Sequence, residues 1–254
     1  MPSFKEWIAP TSWTRIEVIS DLHLSAQAPR TVDAWEQYLR ATSADAVFIL
    51  GDLFEAWVGD DCRHLSFESH CVEVLAKAAL SRTLAFMAGN RDFLVGPEML
   101  SACGMQRLED PTVLVAFGER YVLTHGDTLC LADTEYQEFR LRVRDPAWQR
   151  EVLARPLVER HALAHKLRVG SIERQLERGD GDAVDIDTPT ALEWLERAQA
   201  PVMIHGHTHR PATHTISPGR VRHVLSDWSL DHGEPFRAEV LRIDAGGLTR
   251  LALL

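Results

Sequence analysis

The sequence predicts an α/β protein whose sheet is largely parallel and whose middle carries a helical insertion. Three observations predict it. Apolar runs such as Val47-Phe48-Ile49-Leu50 are short and unbroken, as strands buried on both faces must be. Segments with helical spacing alternate with those runs. From about residue 127 to residue 187 the strand pattern stops, and only helical character remains.

The elements follow in order. Residues 1–14, with Trp7, Ile8 and Trp13, form an N-terminal extension that either packs on the body or lies loose. Residues 15–20 make the first strand and 21–29 its outgoing loop. Residues 31–41 read as a helix, because Val32, Trp35, Tyr38 and Leu39 share one face. The second strand ends at Asp52, and a helix spans about 66–81. A third strand leads to Asn90, a short helix covers 97–103, and residues 112–124 form a hairpin ending at His125. Beyond the insertion, 189–198 reads as a helix and the next strand ends at His205. The tail from residue 212 alternates around Pro218-Gly219 and Gly246-Gly247, which predicts antiparallel strands. The organisation expected is one domain over 15–254, interrupted by a helical lid at about 127–187.

Composition narrows the function. With 45% hydrophobic and 25% charged residues among 254, the chain has ample material for a core. A net charge of −10 excludes a general nucleic-acid binder, which needs a basic face. Cys62, Cys71, Cys103 and Cys130 form no CxxC pair and no zinc-ligand spacing, so reduced thiols in a cytoplasmic protein are expected. No basic flank leads into an apolar leader, and no run approaches the ~18 apolar residues that a membrane span needs.

The chemistry-bearing residues sit where apolar runs end. Asp21 and His23 follow Val18-Ile19-Ser20, Asp52 follows Leu50-Gly51, and Asn90 and Arg91 follow Met87-Ala88-Gly89. His125 closes Val122-Leu123-Thr124, and His205 and His207 flank Gly206 after Met203-Ile204. Carboxyl ends of strands in open α/β sheets are where ligands bind. Oxygen and nitrogen donors without thiolate suit manganese, iron, zinc or magnesium. Seven ligands exceed what one catalytic ion with open positions accepts. Two ions sharing a carboxylate account for the number, and Asp52 is the natural bridge. The plain alternative is a set of polar turn residues, and five such clusters at five strand ends argue against it.

These blocks, Asp21-Leu22-His23, Gly51-Asp52, Gly89-Asn90-Arg91, His125-Gly126-Asp127 and His205-Gly206-His207-Thr208-His209, resemble those of the calcineurin-like metallophosphoesterases. Longer stretches, including Gly51 to Asp61 and Asn90-Arg91-Asp92-Phe93-Leu94, resemble one family among them, the pyrophosphatases that cleave UDP-2,3-diacylglucosamine in lipid A synthesis. Where protein phosphatases of the superfamily follow the Asn with His, this chain has Arg91. The resemblance covers about residues 15–230 and implies a four-layer αββα sandwich with a helical lid. It also implies two Mn2+ per subunit and products UMP and 2,3-diacylglucosamine 1-phosphate. The implied setting is a peripheral enzyme on the cytoplasmic face of the inner membrane, with no obligate protein partner. By position, Asp21, His23, Asp52 and His207 would hold one ion, and Asp52, Asn90, His125 and His205 the other.

Arg91 has the forked donors suited to phosphate oxygens and to developing charge. Its alternative is a surface ion pair with Asp92. His209 is expected outside the ligand set. The resemblance further assigns substrate contacts to Asn90, Arg91, Asp133, Ser171, Gln175, Arg178 and His205. Gln175 and Arg178 stand where the family pattern has Asn and Lys. In the insertion, ten Lys/Arg face seven Asp/Glu between residues 135 and 178, interleaved with Tyr136, Phe139, Trp148 and leucines. That stripe is either an acyl-chain cradle facing anionic headgroups or a plain amphipathic cover. Another phosphodiester as substrate, and a scaffold that lost its metals, are the competing functions.

Overall fold

The structure, a computed structural model, describes residues 2–178, 184–231 and 234–253, with 171–178 described as helix alone. The chain builds two six-stranded sheets. The first, in spatial order, contains β12 (Gly247–Ala252), β11 (Glu239–Asp244), β2 (Arg15–Ile19), β3 (Ala46–Leu50), β4 (Thr83–Met87) and β5 (Met105–Leu108). Strands β2 to β5 run parallel, and β11 adds to β2 in the opposite direction. The second contains β1 (Lys5–Ile8), β6 (Thr112–Ala116), β7 (Glu119–Thr124), β8 (Val202–His205), β10 (Arg220–Val224) and β9 (Ala212–Ser217).

Burial on both faces of β3 shows how the layers stack. Phe48 and Leu50 join Ile16, Val18, Leu123 and Ile204 in a core between the sheets. Val47 and Ile49, on the opposite face, pack with Trp35 of α1 (Pro29–Ala41) and Leu75 of α2 (Ser66–Ala79). Behind the second sheet, Val113, Val122 and Met203 bury Trp194 and Leu195 of α7 (Thr188–Arg197). Each such side chain contributes about 1.5–3 kcal/mol by leaving water. Helix, sheet, sheet, helix is the four-layer α/β sandwich expected. The helix α3 (Pro97–Cys103) ends where Gly104 takes φ +65, a left-handed cap that glycine accepts without cost.

The N-terminal extension packs rather than hangs loose. Strand β1 pairs in parallel with β6, Trp7 meets Phe48 edge-on at 5.5 Å, and Phe4 meets Trp194 at 5.9 Å. The tail forms antiparallel hairpins as expected, but they serve different sheets: β9–β10 extends the second and β11–β12 the first.

Between β7 and α7, among the described residues, lie α4 (Thr134–Val143), α5 (Pro146–Leu153) and α6 (Leu157–Arg178). Trp148, Val152, Leu163 and Ala164 pack into the helix-covered core of the first sheet. Arg160, only 4% exposed, donates to Val58 O at 2.6 Å and pairs with Asp61, fastening α6 to the loop after β3. Among the described residues no helix is long and apolar enough to cross a membrane.

Candidate metal centre

The carboxyl ends of β2, β3 and β4 in one sheet and of β7 and β8 in the other meet at a single cleft. Five residues there, Asp21, His23, Asp52, His207 and His209, hold φ between 49° and 68°. Left-handed backbone costs an L-residue roughly 1–2 kcal/mol, so surrounding bonds must hold it. They do: Asp21 N donates to Gly51 O (3.1 Å), His23 N to Asp52 O (3.0 Å) and Gly206 N to His125 O (3.0 Å). Gly51 is irreplaceable on two counts. Its φ is +89, and a Cβ there would sit 2.6 Å from both Gly89 Cα and His125 Nδ1.

Asp52 is 2% exposed and turns its oxygens to different histidines. Oδ1 lies 3.7 Å from His125 Nε2 and accepts the Arg91 amide at 2.8 Å, while Oδ2 lies 3.9 Å from His23 Nε2. His125 donates Nδ1–H to Leu50 O at 2.8 Å, which leaves Nε2 facing Asn90 Oδ1 at 2.9 Å. Asn90 Oδ1 also meets His207 Nδ1 at 2.8 Å, and His207 N lies 3.0 Å from Asp21 Oδ2. Six of the seven expected ligands thus share one contact network. The seventh, His205, donates Nδ1–H to Gly206 O at 2.8 Å, and its buried Nε2 has no partner. Ligand atoms of Asp21, Asp52 and His125 lie within 4.8 Å of one another, as do those of Asp21, His23 and His209. His209 is therefore nearer the cluster than the sequence suggests: its Nε2 is 3.4 Å from Asp21 Oδ1.

Three carboxylates that the sequence reading left without a role organise this centre. Buried Asp92 accepts amides from Gly89 (2.8 Å), Asp52 (3.3 Å) and Leu53 (2.7 Å), stitching the turn after β4 to the turn after β3. Asp127 takes Tyr136 Oη at 2.6 Å and Arg140 Nε at 2.8 Å, anchoring α4 beside His125. Glu55 lies between His23 and α6. Each of the three falls inside a quoted motif, yet an acid near a turn carries no signal of what it will accept.

Electrostatics agree with a cation site. Burial lowers the His125 pKa, but Asp52, Asp127 and Asp21 outweigh it and hold the imidazole up at about 9. Burial, then the neighbouring Asp52 charge, pushes Asp92 up to about 7. Burial pulls His205 and His207 down to about 4, keeping both neutral with a lone pair free. Buried carboxylates seeking positive charge, beside a neutral imidazole nitrogen with no partner, are what a divalent cation satisfies. The donors fit one.

The model of the calcineurin-like phosphoesterase family matches residues 14–211. The chain belongs to that family. A relative from Xanthomonas oryzae pv. oryzae, named UDP-2,3-diacylglucosamine hydrolase, is 42% identical over 242 residues, covering 91% of this chain and 96% of the relative. One of the same name from Stenotrophomonas maltophilia is 41% identical over 242 residues, covering 90% and 94%.

In this phosphoesterase a cavity of about 470 Å³ reaches the Asp/His cluster at Asn90 and is lined on one side by residues of α4, α5 and α6. Asn90 and Arg91 line it together with the apolar side chains of Phe54, Phe93, Phe139, Trp148, Leu163 and Leu167. The Nε of Arg91 is buried without a partner, and fully buried Asp92 gives its oxygens to backbone amides instead of to a surface ion pair with Arg91. Asp133 caps α4 by accepting the Tyr136 amide at 3.2 Å. The Tyr136 ring lies 5.7 Å from that of His207. The side chains of Ser171, Gln175 and Arg178 lie outside the described residues.

Proposed function

We propose that this phosphoesterase hydrolyses the pyrophosphate of UDP-2,3-diacylglucosamine, giving UMP and 2,3-diacylglucosamine 1-phosphate. The observation that carries the reading is the junction of a polar Asp/His cluster with a half-open, mainly apolar cavity. A nucleotide-linked lipid presents the matching pair of a pyrophosphate and acyl chains. The names and coverage of the relatives support the same substrate.

Asp21, His23, Asp52 and His207 would hold one Mn2+, and Asp52, Asn90, His125 and His205 the other. Bound there, the pair would supply Lewis acidity toward the phosphoryl oxygens and an acidified water as nucleophile at the α-phosphorus. The chain's own residues do the rest. Backbone carbonyls of Leu50 and Gly206 fix the Nδ1–H tautomers of His125 and His205, so each presents Nε2. Arg91 has an unpartnered Nε–H to offer the phosphoryl oxygens, and Asn90 lines the cavity beside it. Phe139, Trp148 and Leu163 from the lid exclude water from the acyl end. Asp133, Ser171, Gln175, Arg178 and His205 complete the substrate side.

The lid also supports peripheral attachment to the cytoplasmic face of the inner membrane. Leu131, Leu141, Leu153 and Val158 are exposed on a stretch rich in arginine, the composition that anionic lipid surfaces attract. The assay supplies UDP-2,3-diacylglucosamine in detergent with Mn2+ or with chelator. UMP release only with Mn2+ supports the reading. No turnover alongside hydrolysis of a cyclic dinucleotide refutes it.

A further inference from the structure

The loops after β2 and β3 stay paired beyond the strand ends. His23 N donates to Asp52 O (3.0 Å), Leu24 N to Leu53 O (2.9 Å) and Glu55 N to Leu24 O (3.1 Å). This extra step of ladder sets Glu55 beside His23. Glu55 Oε2 lies 3.2 Å from His23 Nδ1, a buried nitrogen that no aligned hydrogen bond satisfies and for which this carboxylate is the ion-pair neighbour, and Glu55 Oε1 lies 2.5 Å from Arg168 Nε on α6. With 29% of its side chain exposed and 19% of that of His23, the pair is shielded more than an ordinary surface contact.

We propose that Glu55 is a positioning residue, fixing the cation-facing tautomer of His23 with one oxygen and holding the lid guanidinium of Arg168 at the cavity with the other. The inference rests on His23 being a cation ligand. An imidazole ligates through a nitrogen without a proton, and the remaining N–H needs an acceptor to fix ring and tautomer. The nitrogen of His23 that faces Asp52 and His209 is Nε2, at 3.9 and 3.2 Å. The proton then belongs on Nδ1, where Glu55 stands. The second arm answers a different problem. Arg168 and Arg91 both line the cavity, close enough that the charge of Arg91 acts on Arg168, and like charges repel. A carboxylate holding Arg168 by Nε offsets that repulsion and leaves the guanidinium's two terminal nitrogens for an anionic substrate. One side chain thus joins the cation site to the lid helix.

The two arms separate by substitution. Mn2+ titration by calorimetry on metal-free protein reads the first, and KM for UDP-2,3-diacylglucosamine reads the second. Glu55→Ala should weaken one Mn2+ site by about 10–100-fold, the usual scale for losing a ligand's supporting acceptor, and raise KM. Glu55→Gln keeps an amide oxygen for Nδ1–H but loses the charge facing Arg168. It should bind Mn2+ within about threefold of the parent while raising KM as Arg168→Ala does, and Arg168→Ala should leave Mn2+ affinity unchanged. Glu55 lies on a loop and is partly exposed, and metal-free unfolding midpoints equal to the parent's confirm that the variants fold. Parental Mn2+ affinity in Glu55→Ala, or equal loss in Arg168→Ala, overturns the proposal alone. Parent protein that binds no Mn2+, or His23→Ala that binds as the parent does, overturns the ligand reading beneath it.

Discussion

Asp52 Oδ1 lies 3.7 Å from Nε2 of His125, too far for a hydrogen bond and an ordinary spacing for two ligands of one cation. Its other oxygen turns toward His23. A carboxylate so placed can reach two positions at once, as the proposed bridge between two cations requires. Asp52→Ala should therefore lose bound Mn2+ and lower kcat by roughly three orders of magnitude or more, the upper scale for removing one preorganised electrostatic group. Metal analysis alongside steady-state kinetics checks both. A variant with parental kcat would remove Asp52 from the site.

Gly51 sets the direction of that carboxylate. Gly51→Ala introduces a left-handed alanine whose Cβ overlaps Gly89 Cα and His125 Nδ1. Strain and overpacking of about 1–3 kcal/mol each should lower stability. The displaced turn should cut activity more steeply than stability falls. Urea unfolding and kcat measured on the same preparation separate the two.

Helix α4 is fastened by Arg140, which enters a socket formed by Asp127 and Asp110 at 2.8 and 3.9 Å. Arg140→Ala leaves Asp127 fully buried with its guanidinium partner gone, at a cost of about 3–5 kcal/mol. Arg140→Met, which keeps the volume but not the charge, should cost nearly as much. Denaturant midpoints decide. If both variants unfold with the parent, α4 is held by something other than this charge.

Acid should act through His205. Burial lowers its pKa from 6.5 to about 4, so the folded state prefers the neutral ring and the unfolded chain binds the proton first. The associated stability is complete above pH 6.5 and is lost as pH falls toward 4, by at most ~3 kcal/mol. In metal-free protein, the stability difference between the parent and His205→Gln should shrink over that window. A difference independent of pH would show that His205 is not buried as a neutral ring.

Much of this was legible beforehand because burial writes itself into composition. Val47 to Leu50 reads as a two-sided strand, and it lies fully buried between parallel neighbours. The ligand-bearing turns were legible because Gly-Asp, Gly-Asn and His-Gly-His end such runs. The short strand β1 was not: an edge strand of four residues with exposed Lys5, Glu6 and Ile8 has no apolar signature. Nor were Asp92, Asp127 and Glu55 legible as organisers. What each does depends on amides and guanidinia from segments far along the chain, and no local pattern marks that. Local pattern does not mark His209 either, since only the fold brings it to Asp21.

The most direct test runs the hydrolysis of UDP-2,3-diacylglucosamine in water enriched in a heavy oxygen isotope and weighs both products. The account predicts UMP carrying one heavy oxygen and unlabelled 2,3-diacylglucosamine 1-phosphate, with neither formed by Asp52→Ala. Label in the lipid phosphate, or UDP as the released nucleotide, would contradict it.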